Sequence, residues 1–143
     1  MGKRFPSVID KDLPIRAFIT KKLIGTDVNS TVQDAAKKMT EFNISSIVIL
    51  ENEKVVGFFT ESDIKRKIVA VGKTPDTGVD EIMVRDLITI DISATISDAM
   101  KKMMDNDIKH LLVKEKGQIT GILSFTDFLT MERQKLETFI ARE

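Results

Sequence analysis

Two stretches of sequence decide the fold: VVGFFTESDI at residues 55–64 and ITGILSFTDF at residues 119–128. Both place a glycine, two apolar residues, a hydroxyl residue, two further residues and an aspartate in the same order, and they lie 64 positions apart. Each begins in a largely apolar run that favours a strand and ends in residues that favour a helix start. A local pattern that occurs twice at a fixed distance predicts an internal repeat.

The repeat extends over most of the chain, because LIGTDVNSTVQDAAKKM at 23–39 aligns without a gap with LITIDISATISDAMKKM at 87–103. The identical residues at this offset include Leu23/Leu87, Ile24/Ile88, Asp27/Asp91, Thr31/Thr95, Asp34/Asp98, Ala35/Ala99, Lys37/Lys101, Lys38/Lys102, Met39/Met103, Ile44/Ile108, Glu51/Glu115, Gly57/Gly121 and Asp63/Asp127. A period of 64 residues exceeds that of solenoid repeats, so we interpret it as two copies of one small unit that pack face to face.

One amphipathic helix is predicted near the start of each copy. Apolar residues at 32, 35, 36 and 39, and again at 96, 99, 100 and 103, follow the i, i+3, i+4, i+7 spacing of a helix face. Thr31-x-x-Asp34 and Thr95-x-x-Asp98 precede these faces with the spacing of a capping box, in which aspartate replaces the usual glutamate.

Strands surround that helix in both copies. A short strand precedes it, and two apolar runs separated by polar turn residues follow it: ISSIVIL and VVGFF in the first copy, IKHLLV and ITGIL in the second. A last helix is expected over about 61–71 and about 125–141. The predicted fold class is therefore α/β, with two pseudo-symmetric strand–helix–strand–strand–helix units.

The predicted organisation has five segments: an N-terminal extension at 1–14, the first repeat at 15–72, a linker at 73–78, the second repeat at 79–132 and the end of the C-terminal helix at 133–143. Glycine, proline and aspartate in GKTPDTG at 72–78 support the linker. About sixty residues bury too little surface to be stable alone, so we expect the two repeats to pair.

Composition excludes several classes of protein. Lysine plus arginine balances aspartate plus glutamate at 22 each, which is not the footprint of a nucleic-acid binder. The apolar runs are far shorter than a membrane span, and no signal peptide is visible, so we expect a cytoplasmic protein without a membrane partner. The chain has no cysteine and one histidine, His110, which excludes disulfides and argues against a zinc site.

The twice-used pattern offers groups that could hold a ribose phosphate. Thr60 and Ser124 lie where strand becomes helix, with free amides beyond them that favour an anion. Asp63 and Asp127, three residues later, could each accept two hydrogen bonds from a vicinal diol. The alternative is purely structural, because hydroxyl-x-x-Asp at a helix start is also an ordinary capping box.

The glycine two residues before the end of each strand could serve the same purpose. Gly57 and Gly121 lack a Cβ, so that another backbone or a flat ligand could approach the sheet closely.

The motifs GFFTESD and GILSFTD, supported by STVQDAAKKM and ATISDAMKKM, resemble those of a pair of cystathionine-β-synthase (CBS) domains, also called a Bateman module. The resemblance covers about residues 15–130. It implies two CBS-type units packed face to face as one module, with ligand clefts between the repeats that take AMP, ADP, ATP or S-adenosylmethionine.

The resemblance also implies the ligand-binding residues. The residues of one cleft would be Ser124 and Asp127 with Ser30, Ala35, Ile44, Ser45 and Ser46. Those of the other would be Thr60 and Asp63 with Ala94, Ala99, Ile108, Lys109 and His110. The aspartates would hold the ribose hydroxyls, and Arg66 is our preferred candidate for a phosphate contact. A solvated helix face is the favoured interpretation of Lys65, Arg66 and Lys67, because charge runs are usually that.

The two predicted clefts differ, since Ala94 lacks the hydroxyl of Ser30, and Lys109 and His110 replace Ser45 and Ser46. Val48 and Leu112 also stand where the family often has a proline.

The resemblance therefore implies a non-catalytic regulatory module that binds an adenine nucleotide, with magnesium if the nucleotide is ATP, and that requires no other cofactor. It also implies a homodimer, for which the apolar positions of 125–141 are a candidate interface, and a protein target is expected. Three alternatives stay open: an S-adenosylmethionine-type ligand, a ligand-free dimerisation scaffold, and an enzyme. The sequence shows no nucleophile–base constellation and no P-loop, which argues against the last.

Overall fold

The computed structural model describes residues 12–19 and 23–130, which form two compact units. The first-repeat unit consists of residues 23–87, and the second-repeat unit consists of residues 12–19 together with 88–130. Each unit has its own hydrophobic core.

The first-repeat unit contains β1 (Gly25–Asp27), α1 (Val32–Phe42), β2 (Ser46–Glu51), β3 (Lys54–Thr60) and α2 (Glu61–Ile64). The three strands form one sheet in the order β1-β2-β3, with β1 parallel and β3 antiparallel to β2. The predicted strand–helix–strand–strand–helix order is confirmed in this copy.

Two further elements complete the first-repeat unit. The helix that begins at Glu61 continues as a π-helical turn over Lys65–Val69, where the sequence predicted one regular helix over about 61–71. A short helix, α3 (Val79–Ile82), then follows the glycine- and proline-containing segment.

The second-repeat unit repeats this arrangement with β4 (Thr89–Asp91), α4 (Ile96–Asp105), β5 (His110–Glu115) and β6 (Gln118–Ser124), after which residues 125–130 are helical. Its sheet order β4-β5-β6 and its strand directions match those of the first unit. The predicted continuation of the last helix beyond residue 130 lies outside the described residues.

Tight two-residue turns connect the antiparallel strands of both sheets. Asn52 and Glu53 have φ of 51° and 65°, and Lys116 and Gly117 have φ of 52° and 79°. Positive φ at both central residues is the type I′ geometry, whose twist suits a hairpin. The register of each hairpin shifts at an equivalent place, between Ile49 and Leu50 and between residues 113 and 114.

The segment at 12–19 belongs to the unit of the second repeat. Ile15 is fully buried there, and its backbone N–H donates to the Ala94 carbonyl at 2.8 Å. The Ile96 N–H in turn donates to the Leu13 carbonyl at 3.0 Å. Within this segment Ile15–Phe18 form a short 3₁₀-helix, with three residues per turn.

The segment 64 residues later makes the same contacts in the first-repeat unit. Val79 is fully buried, its N–H donates to the Ser30 carbonyl at 2.9 Å, and the Val32 N–H donates to the Thr77 carbonyl at 2.8 Å. We call 12–19 and 76–83 the lead segments. Each lead segment packs on the unit formed by the other repeat, so the compact units do not coincide with the sequence repeats.

Most side chains of the two cores lie at equivalent positions, 64 residues apart. In the first-repeat unit the buried residues are Val32, Ala35, Met39, Ile47, Ile49, Phe59, Ile68, Val79, Ile82 and Met83. In the second-repeat unit they are Ile15, Ile90, Ile92, Ile96, Ala99, Met103, Leu111, Val113, Leu123 and Phe128. The predicted helix faces of α1 and α4 thus lie in these cores.

Candidate functional site

The repeated pattern forms a capping box in both copies. In the first-repeat unit the Thr60 backbone N–H donates to Asp63 Oδ2 at 2.9 Å, and the Asp63 N–H donates to Thr60 Oγ1 at 3.4 Å. In the second-repeat unit the Ser124 N–H donates to Asp127 Oδ2 at 2.9 Å, and the Asp127 N–H donates to Ser124 Oγ at 3.1 Å. The structural interpretation of the pattern as a capping box is confirmed. A ligand could use only the carboxylate and hydroxyl atoms that are not engaged in these hydrogen bonds.

Asp63 has partners on both carboxylate oxygens. Oδ1 accepts from the Arg66 guanidinium at 2.9 Å and lies 3.3 Å from Lys67 Nζ, while Oδ2 also accepts from the Thr60 hydroxyl at 3.2 Å. The side chain of Asp63 is only 6% exposed. This carboxylate is therefore buried, ion-paired with two cations and hydrogen-bonded within its own unit.

Asp127 differs on each of these points. It is exposed, and within the described residues it has no ion pair and its Oδ1 accepts no hydrogen bond. The sequence explains the difference, because Thr130 and Met131 stand at the positions equivalent to Arg66 and Lys67. The second copy therefore presents an available carboxylate at a helix start, where the helix dipole favours negative charge.

The start of the middle strand lies beside each cap. Ser46 is the register partner of Thr60, and the Glu61 N–H donates to the Ser45 carbonyl at 3.0 Å. Ser45 is exposed and Ser46 is buried. Hydroxyl groups therefore accompany the paired Asp63 in the first-repeat unit.

In the second-repeat unit the same positions are Lys109 and His110, which offer an ammonium group and an imidazole. His110 is the register partner of Ser124, and the Phe125 N–H donates to the Lys109 carbonyl at 2.8 Å. Since residues 109 and 125 form a hydrogen-bonded pair, His110 and Ser124 form the closer, non-hydrogen-bonded pair on one face. Lys109 is exposed and His110 is partly exposed. The predicted grouping of Lys109 and His110 with Thr60 and Asp63 stays a prediction.

Four predicted site residues belong to the helix regions. Ser30 is partly exposed, and its hydroxyl accepts a hydrogen bond from the Thr26 hydroxyl at 3.0 Å. The backbone carbonyls of Ser30 and Ala94 each accept a hydrogen bond from a lead segment. Ala35 and Ala99 are fully buried in the two cores, which leaves neither side chain accessible to a ligand.

Ile44 and Ile108 are partly buried and pack against the cores at the loop before the middle strand. Their backbone N–H groups donate to the carbonyls of Met39 and Met103, at 3.0 Å and 2.9 Å. Both therefore form part of the connection from helix to strand, and their role as an apolar wall for a base stays a prediction.

The space beside the two glycines is filled by the chain itself. A Cβ at Gly57 would lie 2.6 Å from the Met83 sulfur, and a Cβ at Gly121 would lie 3.2 Å from Ile19 Cγ2. Met83 and Ile19 are equivalent residues of the two lead segments. The expected close approach of another part of the backbone is confirmed at Gly57, where a Cβ would lie 3.1 Å from the Val84 carbonyl oxygen. The lead segments, and not a flat ligand, occupy the space beside both glycines.

Sequence reasoning missed the role of Lys67, which was grouped with a solvated helix face. Its ammonium group donates to the Ile82 carbonyl at 2.9 Å in addition to its pairing with Asp63. The i, i+3 and i, i+4 spacing of Arg66 and Lys67 from Asp63 was the available signal, since such pairs meet on a helix.

Acidic residues at the starts of α1 and α4 are held in the ionised form. The pKa of Asp34 is lowered from 3.8, first by the Thr31 backbone hydrogen bond and then by the Thr31 hydroxyl. The pKa of Asp98 is lowered in the same way by Thr95. Both capping boxes predicted from the sequence are confirmed.

The two units have the same topology, and in each a hydroxyl–aspartate capping box stands where the last strand passes into a helix. These features define a tandem CBS-domain module. The family model described as CBS domain matches residues 15–70 and 79–132. The chain belongs to the CBS domain family. CBS-domain pairs are in general regulatory, ligand-binding modules without catalytic activity.

A solved structure of an uncharacterised conserved protein from Pyrococcus horikoshii is similar over 87% of this chain and 96% of that one, with 39% identity and a TM-score of 0.82. An uncharacterised 17.7 kDa protein from Acidianus ambivalens is 33% identical over 110 residues, which are 76% of this chain and 66% of that protein. The hexameric CBS-CP12 protein from bloom-forming cyanobacteria is 24% identical over 84% of this chain and 68% of that chain, with a TM-score of 0.76, and shares the fold.

The chain spans between 54% and 66% of the lengths of three curated relatives that it matches. Within the part of the chain that the structure describes, no helix is both long enough and apolar enough to cross a membrane.

Proposed function

We propose that this chain is a regulatory module that binds an adenine nucleotide and communicates the bound state to another protein. The observation that carries the proposal is the exposed Asp127 carboxylate, whose Oδ1 accepts no hydrogen bond from any described residue. A carboxylate can accept from both hydroxyls of a vicinal diol. Ribose is the part of a nucleotide that presents such a diol.

The groups beside Asp127 support a nucleotide rather than a neutral sugar. The Lys109 ammonium is a cation on the residue just before β5, whose carbonyl accepts from the Phe125 N–H, and the imidazole of His110 lies on the same face as the Ser124 hydroxyl. Charge-assisted hydrogen bonds to phosphate oxygens are stronger than neutral ones. In this proposal Asp127 holds the ribose and Ser124 lies near it. Lys109 and His110 favour the phosphates of the same ligand, which replaces their predicted grouping with Thr60 and Asp63.

The predicted contribution of Ser30, Ser45, Ser46 and Ile44 to the same ligand stays a prediction. Magnesium would accompany ATP, because it bridges phosphate oxygens and needs few protein ligands. We propose binding without turnover, in keeping with the generally non-catalytic, regulatory role of CBS-domain pairs.

Regulation would follow from differential affinity. A nucleotide can shift an equilibrium between two states of the protein only by the difference in its affinity for them. We also propose that the chain self-associates as a homodimer. Met104 and Leu129, which are 75% and 53% exposed in the second-repeat unit, supply apolar surface for such an interface.

The direct experiment is a titration calorimetry series on the wild-type chain with AMP, ADP, ATP with magnesium, and S-adenosylmethionine. We expect saturable binding of at least one nucleotide and weaker binding of S-adenosylmethionine, which has the same ribose but no phosphate. A ligand at a hundred times its Kd also stabilises the folded protein by about 2.7 kcal/mol, which a thermal-shift assay detects.

Two results would change the proposal. Tighter binding of S-adenosylmethionine than of every nucleotide would favour that ligand class. Failure of all four compounds to bind or to raise the Tm would favour a ligand-free scaffold, and measurable consumption of a bound nucleotide would indicate an enzyme.

A further inference from the structure

We infer that Asp63, Arg66 and Lys67 in the first copy form a structural latch, meaning a set of contacts that fastens the lead segment 76–83, and not a second ligand site. The chain then binds one nucleotide. The number of bound nucleotides rests on the proposed function. The latch rests on the Asp63 contacts alone. It revises the expectation that Thr60, Asp63 and Arg66 bind a ligand.

The first argument is the acceptor capacity of Asp63. An ionised carboxylate offers about four lone-pair sites. In Asp63 two are directed at Arg66 and Lys67 on Oδ1, at 2.9 and 3.3 Å, and two accept from the Thr60 N–H and hydroxyl on Oδ2, at 2.9 and 3.2 Å. A ribose diol would have to displace two of these four donors. Asp127 has only the Ser124 N–H on Oδ2 among the described residues, and its Oδ1 is open.

The second argument is access. The Asp63 side chain is 6% exposed, so a diol could reach it only after the covering side chains moved. Arg66 is 62% exposed, and its exposed ion pair alone would be a weak barrier. Burial of the carboxylate, together with its hydrogen bonds to Thr60 and its contact with Lys67, is the stronger obstacle.

The third argument is what the closed site does instead. Lys67 Nζ lies 3.3 Å from Asp63 Oδ1 and donates to the Ile82 carbonyl at 2.9 Å. Ile82 belongs to the lead segment 76–83, so Asp63, through Lys67, ties that segment to the unit on which it packs. The π-helical turn over Lys65–Val69 carries both cations. The second copy has Thr130 and Met131 at the equivalent positions and cannot form this latch.

The test compares four variants of the full chain: Asp63→Asn, Arg66→Thr, Lys67→Met and Asp127→Asn. Threonine and methionine are the residues that the second repeat carries at the equivalent positions. Asparagine keeps an acceptor for the cap and removes the charge. Binding of AMP, ADP and ATP is measured by titration calorimetry, and the Tm is measured without ligand.

We expect one nucleotide per chain in the wild type and a loss of affinity of about tenfold or more in Asp127→Asn, because it removes a charged acceptor. Asp63→Asn should retain the wild-type Kd within about threefold while its Tm falls by about 5 °C or more, because a buried charged group loses its hydrogen bonds. Lys67→Met should lower the Tm more than Arg66→Thr does. If Asp63→Asn does not fold, Arg66→Thr supplies the binding result. Replacement of Arg66 would weaken ATP binding if its side chain held a phosphate, and we expect no such weakening.

Two nucleotides per chain would overturn the inference, and so would an affinity loss in Asp63→Asn or Arg66→Thr as large as that in Asp127→Asn. These outcomes would leave the proposed function intact. If the wild type binds none of the three nucleotides, the proposed function fails and the Tm values alone decide the latch. Equal Tm values for Asp63→Asn and Asp127→Asn would then overturn it.

Discussion

Met83 occupies the space next to Gly57, so that a Cβ at position 57 would lie 2.6 Å from the Met83 sulfur and 3.1 Å from the Val84 carbonyl oxygen. In the first-repeat unit this contact seats the lead segment on β3, where the Val84 N–H also donates to the Phe58 carbonyl at 2.7 Å. The glycine is therefore required by packing between parts of the chain.

We predict that Gly57→Ala lowers the free energy of unfolding by about 1–3 kcal/mol, because the added methyl group overpacks this contact. Gly121→Ala is the matched control, since its Cβ would meet Ile19 at an easier 3.2 Å, and it should cost clearly less. Urea unfolding of both variants gives the comparison. A double variant with Met83→Ala should cost less than the two single changes added together. Equal costs for the two glycine variants would contradict this account of Gly57.

A second prediction concerns the lead segment at 12–19. Ile15→Ala should lower the free energy of unfolding by about 2–5 kcal/mol, because the side chain is fully buried in the core of the second-repeat unit. Val71→Ala is the control, because it truncates an apolar side chain that is 61% exposed and lies outside the proposed dimer interface, and it should cost within about 0.5 kcal/mol. An Ile15→Ala protein with the wild-type urea midpoint would show that this segment does not contribute to the core.

A third prediction concerns acid. The pKa values of Asp34 and Asp98 are lowered from 3.8 by the Thr31 and Thr95 caps, so the folded state binds these protons less readily than the unfolded state. Their contribution to stability is therefore complete above the unfolded pKa and is lost as the pH falls through the folded pKa. The wild type should lose stability below about pH 4 more steeply than an Asp34→Asn/Asp98→Asn variant, which keeps an acceptor but does not titrate.

Urea unfolding of both proteins at pH 7 and near pH 3 measures that difference. The same loss of stability in the two proteins would mean that other carboxylates control the acid response, and that these two caps do not contribute to it.

The sequence predicted the local structure well because its signals were short-range. The capping boxes at Thr31 and Thr95 depend on residues three positions apart, and the hairpins depend on two turn residues each. The offset of 64 residues then transferred each assignment to the second copy. Sequence spacing therefore predicts local structure when the partners of a residue lie within one helical turn or one hairpin.

The packing of the lead segments could not be predicted in this way. Ile15 begins the first repeat in sequence but is buried in the second-repeat unit, and Val79 begins the second repeat but is buried in the first-repeat unit. Nothing in the local pattern around Gly57 or Gly121 specifies which distant side chain fills the adjacent space. The π-helical turn at Lys65–Val69 was likewise unpredictable, because its residues have ordinary helix propensities.

The most direct test of the central claim asks whether Asp127 recognises a ribose diol. The affinities of AMP and 2′-deoxy-AMP are measured by titration calorimetry for the wild type and for Asp127→Asn. We predict that the wild type prefers AMP by about tenfold or more, since the deoxy ligand lacks one donor to a charged acceptor, and that Asp127→Asn loses most of this preference. An undiminished preference for AMP in Asp127→Asn, or equal binding of the two ligands by the wild type, would contradict the claim.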